Sequence, residues 1–415
     1  FGQSSNYNSL TGNDITNNQY GIYFYYSSNN FITGNNIANN GDDGIALYSS
    51  NYNKISGNNM TANNRYGIVL EDSSNNGIVG NNIKNSTYGI ALRYSSNYNS
   101  MVGNDIKNNR YGIWLFSSSS NSISGNNVTA NGDYGIWLES SSNYNSIVGN
   151  NMTANKRYGI WLEGLNNTII GNTVANNREC GIWLSSNNTT IYGNNIKNNT
   201  YGTGLSRSSN NRIYHNNFID NTYQVYSYYS VNVWDNGYPS GGNYWTDYNG
   251  TDLLSGSNQN VTGSDGIGDS PNFIDGDNQD LYPLMGPINV FDAGVWDGKA
   301  YSAHVISNST VSTFQLDVAK KTVSFNVTGM EDAAGFCRIT IPNIIVQEFW
   351  HGNYTVLLND EPYPFRNWTD TENTYLYVNY THSEHEITII PEFPSAMILP
   401  LFMVPTTLAV VFTKK

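Results

Sequence analysis

Apolar and polar residues alternate over short runs through the first part of the chain, and Gly, Asn or Ser bounds each run. Between Asn143 and Leu162, for example, Ile160 and Leu162 flank Trp161 as alternate faces of a strand do, and no helical period fits the stretch. The pair Gly-Asn recurs at Gly12, Gly34, Gly57, Gly80, Gly103, Gly125, Gly149, Gly171 and Gly193, in steps of 22 to 24 residues, and His215 stands where a tenth Gly would fall. A second register, Gly-Ile-x-Leu, runs through Gly21, Gly44, Gly67, Gly89, Gly112, Gly135, Gly159 and Gly181, and weakens at Gly202. Two registers with one period mark a single structural unit used about ten times.

A leucine-rich repeat of this length would need more Leu and a helical return, whereas this unit returns through Ser, Asn and Gly. A left-handed β-helix would show a six-residue subperiod, which is absent. The pattern therefore predicts an all-β chain built on a right-handed parallel β-helix of about ten coils, with Ile on Ile and Leu on Leu inside and Asn on Asn at the turns. The rod is expected over residues 1–230, closed by an Asp/Gly-rich capping segment over 231–287, because an open solenoid end exposes unpaired strand edges. From Ile288 Asn thins out, and alternating runs such as Phe314-Leu316-Val318, Val323-Phe325-Val327 and Tyr354-Val356-Leu358 predict a small β-sandwich over 288–390. Residues Ala396 to Thr413 form an uncharged, mainly apolar stretch ahead of Lys414-Lys415, which predicts a membrane segment within 391–415.

Composition fits this picture. Asn fills 69 of 415 positions, 56 of them before residue 251, which the turns of a stacked coil explain. A formal net charge of -13 with only 19 Lys plus Arg excludes a phosphate-binding footprint, so nucleic acid is not an expected partner. Cys180 and Cys337 fall in different predicted domains and read as buried free thiols. Phe1 already lies within a repeat, which reads as a processed or truncated start and leaves secretion open. Asn-x-Ser/Thr sequons extend into the Asn-poor sandwich (Asn308, Asn326, Asn353, Asn367, Asn379), as suits an extracellular glycoprotein.

The unit from Gly80 to Leu92 and onward resembles the parallel β-helix repeat of NosD-like proteins, also grouped as carbohydrate-binding and sugar-hydrolysis domains. Gly242-Asn243-Tyr244-Trp245-Thr246-Asp247-Tyr248, Asp265-Gly266-Ile267-Gly268-Asp269-Ser270-Pro271 and Asp280-Leu281-Tyr282-Pro283-Leu284 resemble the segment that follows the helix in archaeal NosD-like surface proteins. Gly335 to Pro342 and Trp350 to Leu357 resemble a domain that precedes the anchor in such proteins, and Pro391-Glu392-Phe393-Pro394-Ser395 resembles a PEF-CTERM sorting signal. The resemblance implies an extracellular, surface-anchored protein. Its name spans copper-site maturation, sugar hydrolysis and uncharacterised surface proteins.

In each Gly-Ile-x-Leu strand the residue between Ile and Leu should point outward, giving the column Tyr23, Ala46, Val69, Ala91, Trp114, Trp137, Trp161 and Trp183. Trp114, Trp137, Trp161 and Trp183 are expected to form an exposed strip on which sugar rings of a polysaccharide or cell-surface glycan could stack. Glu139 and Glu163 should sit on adjacent coils, about 4.8 Å apart at the backbone, as candidate catalytic carboxylates of a glycosidase. A lyase would need a basic residue beside acidic calcium ligands, and Lys156, Arg157 and Asp133 are too scattered for that. Asp265, Asp269, Asp275, Asp277 and Asp280 are candidate ligands of a structural calcium ion, although Val261 and Gly263 occupy places where a calcium loop carries carboxylates. Copper would call for clustered His, Met or Cys, and the rod offers His215 with separated Met60, Met101 and Met152. No cofactor is otherwise required. The readings left open are a polysaccharide-binding surface protein, a polysaccharide-cleaving enzyme, and a structural or adhesion protein whose column packs laterally against a second copy.

Overall fold

The structure, a computed structural model, describes residues 4–392. The membrane segment expected over Ala396 to Thr413 lies outside the described residues, as does the sorting motif beyond Glu392; among the described residues no helix is long and apolar enough to cross a membrane. The chain divides into two compact units. One comprises Phe1–Thr251, Gly256–Asn260 and Ile267–Leu284, and the other Asp252–Ser255, Val261–Gly266 and Met285–Lys415. The stretch expected to cap the rod is thus shared between them.

The first unit is a parallel β-solenoid of the right-handed type, as the repeat predicts. Each coil carries three short strands, for instance Ser146–Val148, Asn151–Thr153 and Tyr158–Leu162. Every strand pairs in parallel with its counterparts in adjoining coils, so that sheets of ten, eleven and ten strands run along the unit among the described residues. Pairing is in register by residue type: Ile136 faces Ile160, Trp137 faces Trp161 and Leu138 faces Leu162. Inward Ile, Leu, Val and Met side chains of all three sheets are sealed in one core that runs from coil to coil.

The two glycine columns have different causes. Gly125, like the other glycines of the Gly-Asn register, sits at positive φ (+61°) in a turn, where a side chain would be strained. Gly112 sits at the start of a third-sheet strand, where a Cβ would stand 2.4 Å from the Gly135 carbonyl oxygen and from Val128 Cγ1. There the next coil's backbone takes the space a side chain would need.

Asn residues form ladders inside the turns. Asn126 is buried; its backbone N–H and its Nδ2 both donate to Asn150 Oδ1 at 2.9 Å, and its Nδ2 also donates to the Met101 carbonyl at 2.9 Å. The same scheme repeats from Asn35 through Asn58, Asn81, Asn104 and onward to Asn216 and Asn243. The ladder ends at Asp280, whose Oδ2 accepts from the Asn243 N–H at 2.7 Å and Trp245 Nε1 at 2.9 Å. Trp245 stacks on Phe218 at 4.3 Å and closes the core beside Trp234.

In the second unit two five-stranded antiparallel sheets share one apolar core, with Val305, Cys337 and Val378 from one sheet and Val323, Phe325 and Ile387 from the other. The helix Asn343–Trp350 was not anticipated from the alternation; its buried face is Ile345, Val346, Phe349 and Trp350, and it ends at His351 in the left-handed region. Arg366 holds the early segments of this unit, donating from Nη1 to the Ser264 carbonyl at 2.7 Å and from Nη2 to Ser255 Oγ at 3.0 Å.

Candidate functional site

The outer face of the third sheet carries the chemistry that the alternation pointed to. Trp114, Trp137, Trp161 and Trp183 lie in one outward column, since their strands pair residue for residue. They are half-buried, whereas an exposed strip was expected. The cause is ring packing along the column and against the tyrosines beside it, with Tyr134 touching both Trp137 and Trp161. Trp161 and Trp183 stack at 5.7 Å with 25° between planes, and Trp114 and Trp137 lie 5.9 Å apart at 32°. Ala46, Val69 and Ala91, also expected to be exposed in this column, are fully buried under Tyr48, Tyr66, Tyr88 and Trp114.

The tyrosine that opens five successive third-sheet strands, and whose letters stand in the Tyr-Gly-Ile motif, supplies a second column. Tyr66, Tyr88, Tyr111, Tyr134 and Tyr158 follow one another at centroid distances of 5.1, 4.8, 5.6 and 5.3 Å. They also touch the tryptophans, Tyr88 to Trp114 at 4.9 Å and Tyr158 to Trp161 at 4.7 Å. The result is an aromatic ribbon two rings wide. Gly204 lets it continue: a Cβ there would meet Trp183 Cε3 at 2.2 Å, and the ring instead lies across the gap to stack on Tyr226 at 5.8 Å and 18°. The ribbon is bordered by the ion pairs Arg110–Asp133 (2.8 Å), Arg157–Glu179 (3.0 Å) and Arg93–Glu71 (3.6 Å).

Glu139 and Glu163 do stand on successive coils, and both turn to the ribbon. Glu139 Oε2 accepts from Trp114 Nε1 at 2.9 Å, and Glu163 Oε1 accepts from Trp161 Nε1 at 3.0 Å. Burial raises the Glu139 carboxyl above the ordinary range, the Trp114 N–H opposes this, and the Glu163 charge adds to it. Desolvation, more than mutual repulsion, is therefore the main cause. Asp43 interrupts the tyrosine column one coil before Tyr66; it is buried, and burial with the Asp42 charge pushes its carboxyl up to about 7 against Arg65. Cys180 interrupts the column again after Tyr158, and burial pushes its thiol well up.

The five aspartates proposed for calcium are not brought together. Asp265 belongs to the other unit and is buried. Asp269 accepts from Thr251 Oγ1, Asp275 accepts from the Asp277 N–H and from Asn278 Nδ2, and Asp280 terminates the Asn ladder. Asp269 and Asp280 bond to different partners, while Asp275 and Asp277 share a single turn. Among the described residues no group of three or more His, Cys, Asp or Glu side chains is placed to hold a metal ion. His382 is buried with Nε2 2.8 Å from Ser309 Oγ.

The family described as periplasmic copper-binding protein (NosD) matches the chain over residues 1–110 and 94–250. No curated protein matches it by sequence. Among solved structures it is similar to a mutant of the periplasmic alginate epimerase AlgG, at 20% identity over 50% of this chain and 51% of that one, with a TM-score of 0.41. It is similar to the Dettilon tailspike protein (gp208) at 14% identity over 92% and 86%, TM-score 0.38, and to the A-module of the Azotobacter vinelandii mannuronan C-5 epimerase AlgE4 at 16% over 54% and 80%, TM-score 0.38. The chain spans about half the length of the alginate epimerase it matches. The residues do not fit a copper centre: Met60, Met101 and Met152 are sealed in the core, Cys180 is buried, and His215 is buried with Nε2 3.0 Å from the Ser240 carbonyl oxygen.

Proposed function

The chain belongs to the NosD family, and we propose that this member works outside the cytoplasm by holding polysaccharide against the aromatic ribbon of its third sheet. The continuous ribbon of Trp114, Trp137, Trp161, Trp183 and the tyrosine column carries the reading. A sugar chain lying along it would cover apolar ring edges with its C–H faces, while the bordering Arg and Glu side chains meet its hydroxyls. Fixed indoles serve this purpose, since Glu139 and Glu163 hold two of them in place. Attachment to a membrane through Ala396 to Thr413, with Pro391 to Ser395 as sorting signal, belongs to the same proposal. It is tested by whether truncation before Pro391 releases the protein into the medium.

The binding test is affinity electrophoresis through a panel of soluble polysaccharides, with Trp137→Ala and Trp161→Ala beside the unchanged protein. Retention that falls about tenfold in the variants supports the ribbon. Retention that is undiminished by both substitutions sinks it.

The raised Glu139 carboxyl beside Glu163 favours a second reading, a polysaccharide-cleaving enzyme. Release of reducing ends that disappears in Glu163→Gln would support it, and product formation unaffected by that change would remove these two residues from consideration.

A further inference from the structure

A row of tyrosines stands apart from the ribbon, on the turn that leads from the third sheet back to the first. Tyr7, Tyr52, Tyr98 and Tyr144 occupy the same turn position in alternate coils from the first to the seventh, in the recurring string Asn-Tyr-Asn, and in the three coils that follow the position holds Asn166, Asn188 and Asn210. They are 81%, 62%, 66% and 65% exposed, and none makes a ring contact among the described residues. In the intervening coils the position holds Asn29, Asn75 and Ser120. The two-coil period is built into the turn. The residue before it alternates between Asn and Ser, and each accepts a backbone N–H from the next coil: Ser28 N–H to Asn6 Oδ1 at 2.6 Å, Asn51 N–H to Ser28 Oγ at 3.0 Å, Ser74 N–H to Asn51 Oδ1 at 2.6 Å, and Asn97 N–H to Ser74 Oγ at 3.1 Å. The tyrosines are therefore mounted on a rigid, bonded rail.

All four tyrosines also sit in the left-handed region, with φ of 60, 57, 57 and 56°. A bulky side chain is disfavoured there, and Asn, which fills the slot in the next coil, would relieve the strain. Local strain retained at four equivalent places, with a large ring exposed at each, points to use of those rings. Two coils advance about 9.6 Å, so the row spans about 29 Å.

We infer that this row is a binding comb for an extended neutral polysaccharide whose pyranoses are linked equatorially at both ends. In such a chain alternate sugars present the same face, and one sugar advances about as far as one coil. Equivalent C–H faces then recur at the two-coil step, and each can stack on a tyrosine. Neutrality follows from the uncharged Asn and Ser beside the row and from a net charge of -13, which repels a polyanion. The inference rests on the reading of the chain as a polysaccharide binder, and places a second contact surface away from the ribbon.

The test is calorimetric titration of the full chain with linear β-1,4-linked gluco-oligosaccharides of increasing length, with amylose and alginate as the helical and anionic comparisons. Affinity should rise about two- to tenfold each time two further sugars reach another tyrosine. Tyr98→Asn places the residue of the alternate coils in an accepting backbone, so it should fold at least as stably and lose one such step. Asn75→Tyr fills the gap between Tyr52 and Tyr98 and should blunt the two-sugar increment. The inference is overturned if Tyr98→Asn binds every oligosaccharide as the unchanged chain does, if alginate or amylose binds more tightly, or if none of the glucans binds while Tyr98→Asn weakens self-association in the ultracentrifuge. Loss of binding in Trp137→Ala with none in Tyr98→Asn leaves the ribbon standing and removes the comb; the opposite pattern removes the ribbon and keeps the comb.

Discussion

Asn126→Ala tests whether the buried Asn ladders hold the coils together. Asn126 Oδ1 accepts from the Asn104 N–H at 2.9 Å and from Asn104 Nδ2 at 2.8 Å, and all three residues from Asn104 to Asn150 in this ladder are buried. Truncation strands the Asn104 N–H and one of its Nδ2 hydrogens; the other Nδ2 hydrogen keeps the Ile78 carbonyl at 2.9 Å. A stranded buried donor costs about 1–3 kcal/mol, so two give about 2–6 kcal/mol before any cavity is counted. The neighbouring Asn127→Ala is the comparison. Asn127 is exposed on the same coil and bonds outward, donating to Asp105 Oδ1 at 2.8 Å and accepting from Asn151 Nδ2 at 2.8 Å, so its loss should cost less than about 1 kcal/mol. Urea unfolding followed by far-ultraviolet circular dichroism reads both, with midpoints and slopes compared together because an array of coils can lose cooperativity. Equal midpoints for Asn126→Ala and Asn127→Ala would refute the argument.

Gly204→Val should push Trp183 off Tyr226 and destabilise by about 1–3 kcal/mol, with a loss of near-ultraviolet circular dichroism; an unchanged aromatic spectrum would show that the stack does not depend on that gap. Burial pushes the Asp280 carboxyl up to about 7, above its unfolded value. The folded state then holds the proton more tightly, so this contribution to stability is full below the unfolded pKa and is lost as pH rises through about 7. The denaturation midpoint should fall over that window and fall less in Asp280→Asn; a parallel pH profile in the variant would contradict this. Because no three of the candidate calcium aspartates are gathered among the described residues, chelation should leave the unfolding temperature within about 2 °C, and a larger drop would reveal an ion site.

The solenoid was legible because its period repeats ten times, so even weak alternation within a coil adds up to an unambiguous register. Side-chain surroundings were less legible. A sequence treats one strand at a time, and it is the rings of Tyr111, Trp114 and Tyr134 around Trp137 that leave it half-buried where an exposed strip was expected. The tyrosines at Tyr111 and Tyr134 are equally visible in the letters, but they precede the Gly-Ile-x-Leu register and their stacking depends on neighbouring coils. The Asp265 to Asp280 group failed for the reverse reason: acids near in sequence close different turns, as Asp275 and Asp280 do, and only contacts distant in sequence fix where each one goes. The helix Asn343–Trp350 carries no strong start signal, having Pro342 at its N-cap without a side-chain bond.

In a solenoid of in-register ladders the residue that repeats is accounted for by its neighbours, so function is best sought where a column changes. Gly204 breaks the tryptophan column, and the break has a packing cause, since the Trp183 ring fills the space. Asp43 and Cys180 break the tyrosine column and are buried, so neither break opens a surface. The turn above the third sheet differs in kind. From Tyr7 to Tyr144 it alternates tyrosine with Asn or Ser, places the larger residue in the less favourable backbone, and leaves each ring exposed. Stacking would be served by tyrosine in every coil and backbone ease by Asn in every coil; a regular alternation serves neither. What it does produce is a fixed gap of about 9.6 Å between exposed rings, the spacing that the oligosaccharide-length series reads directly.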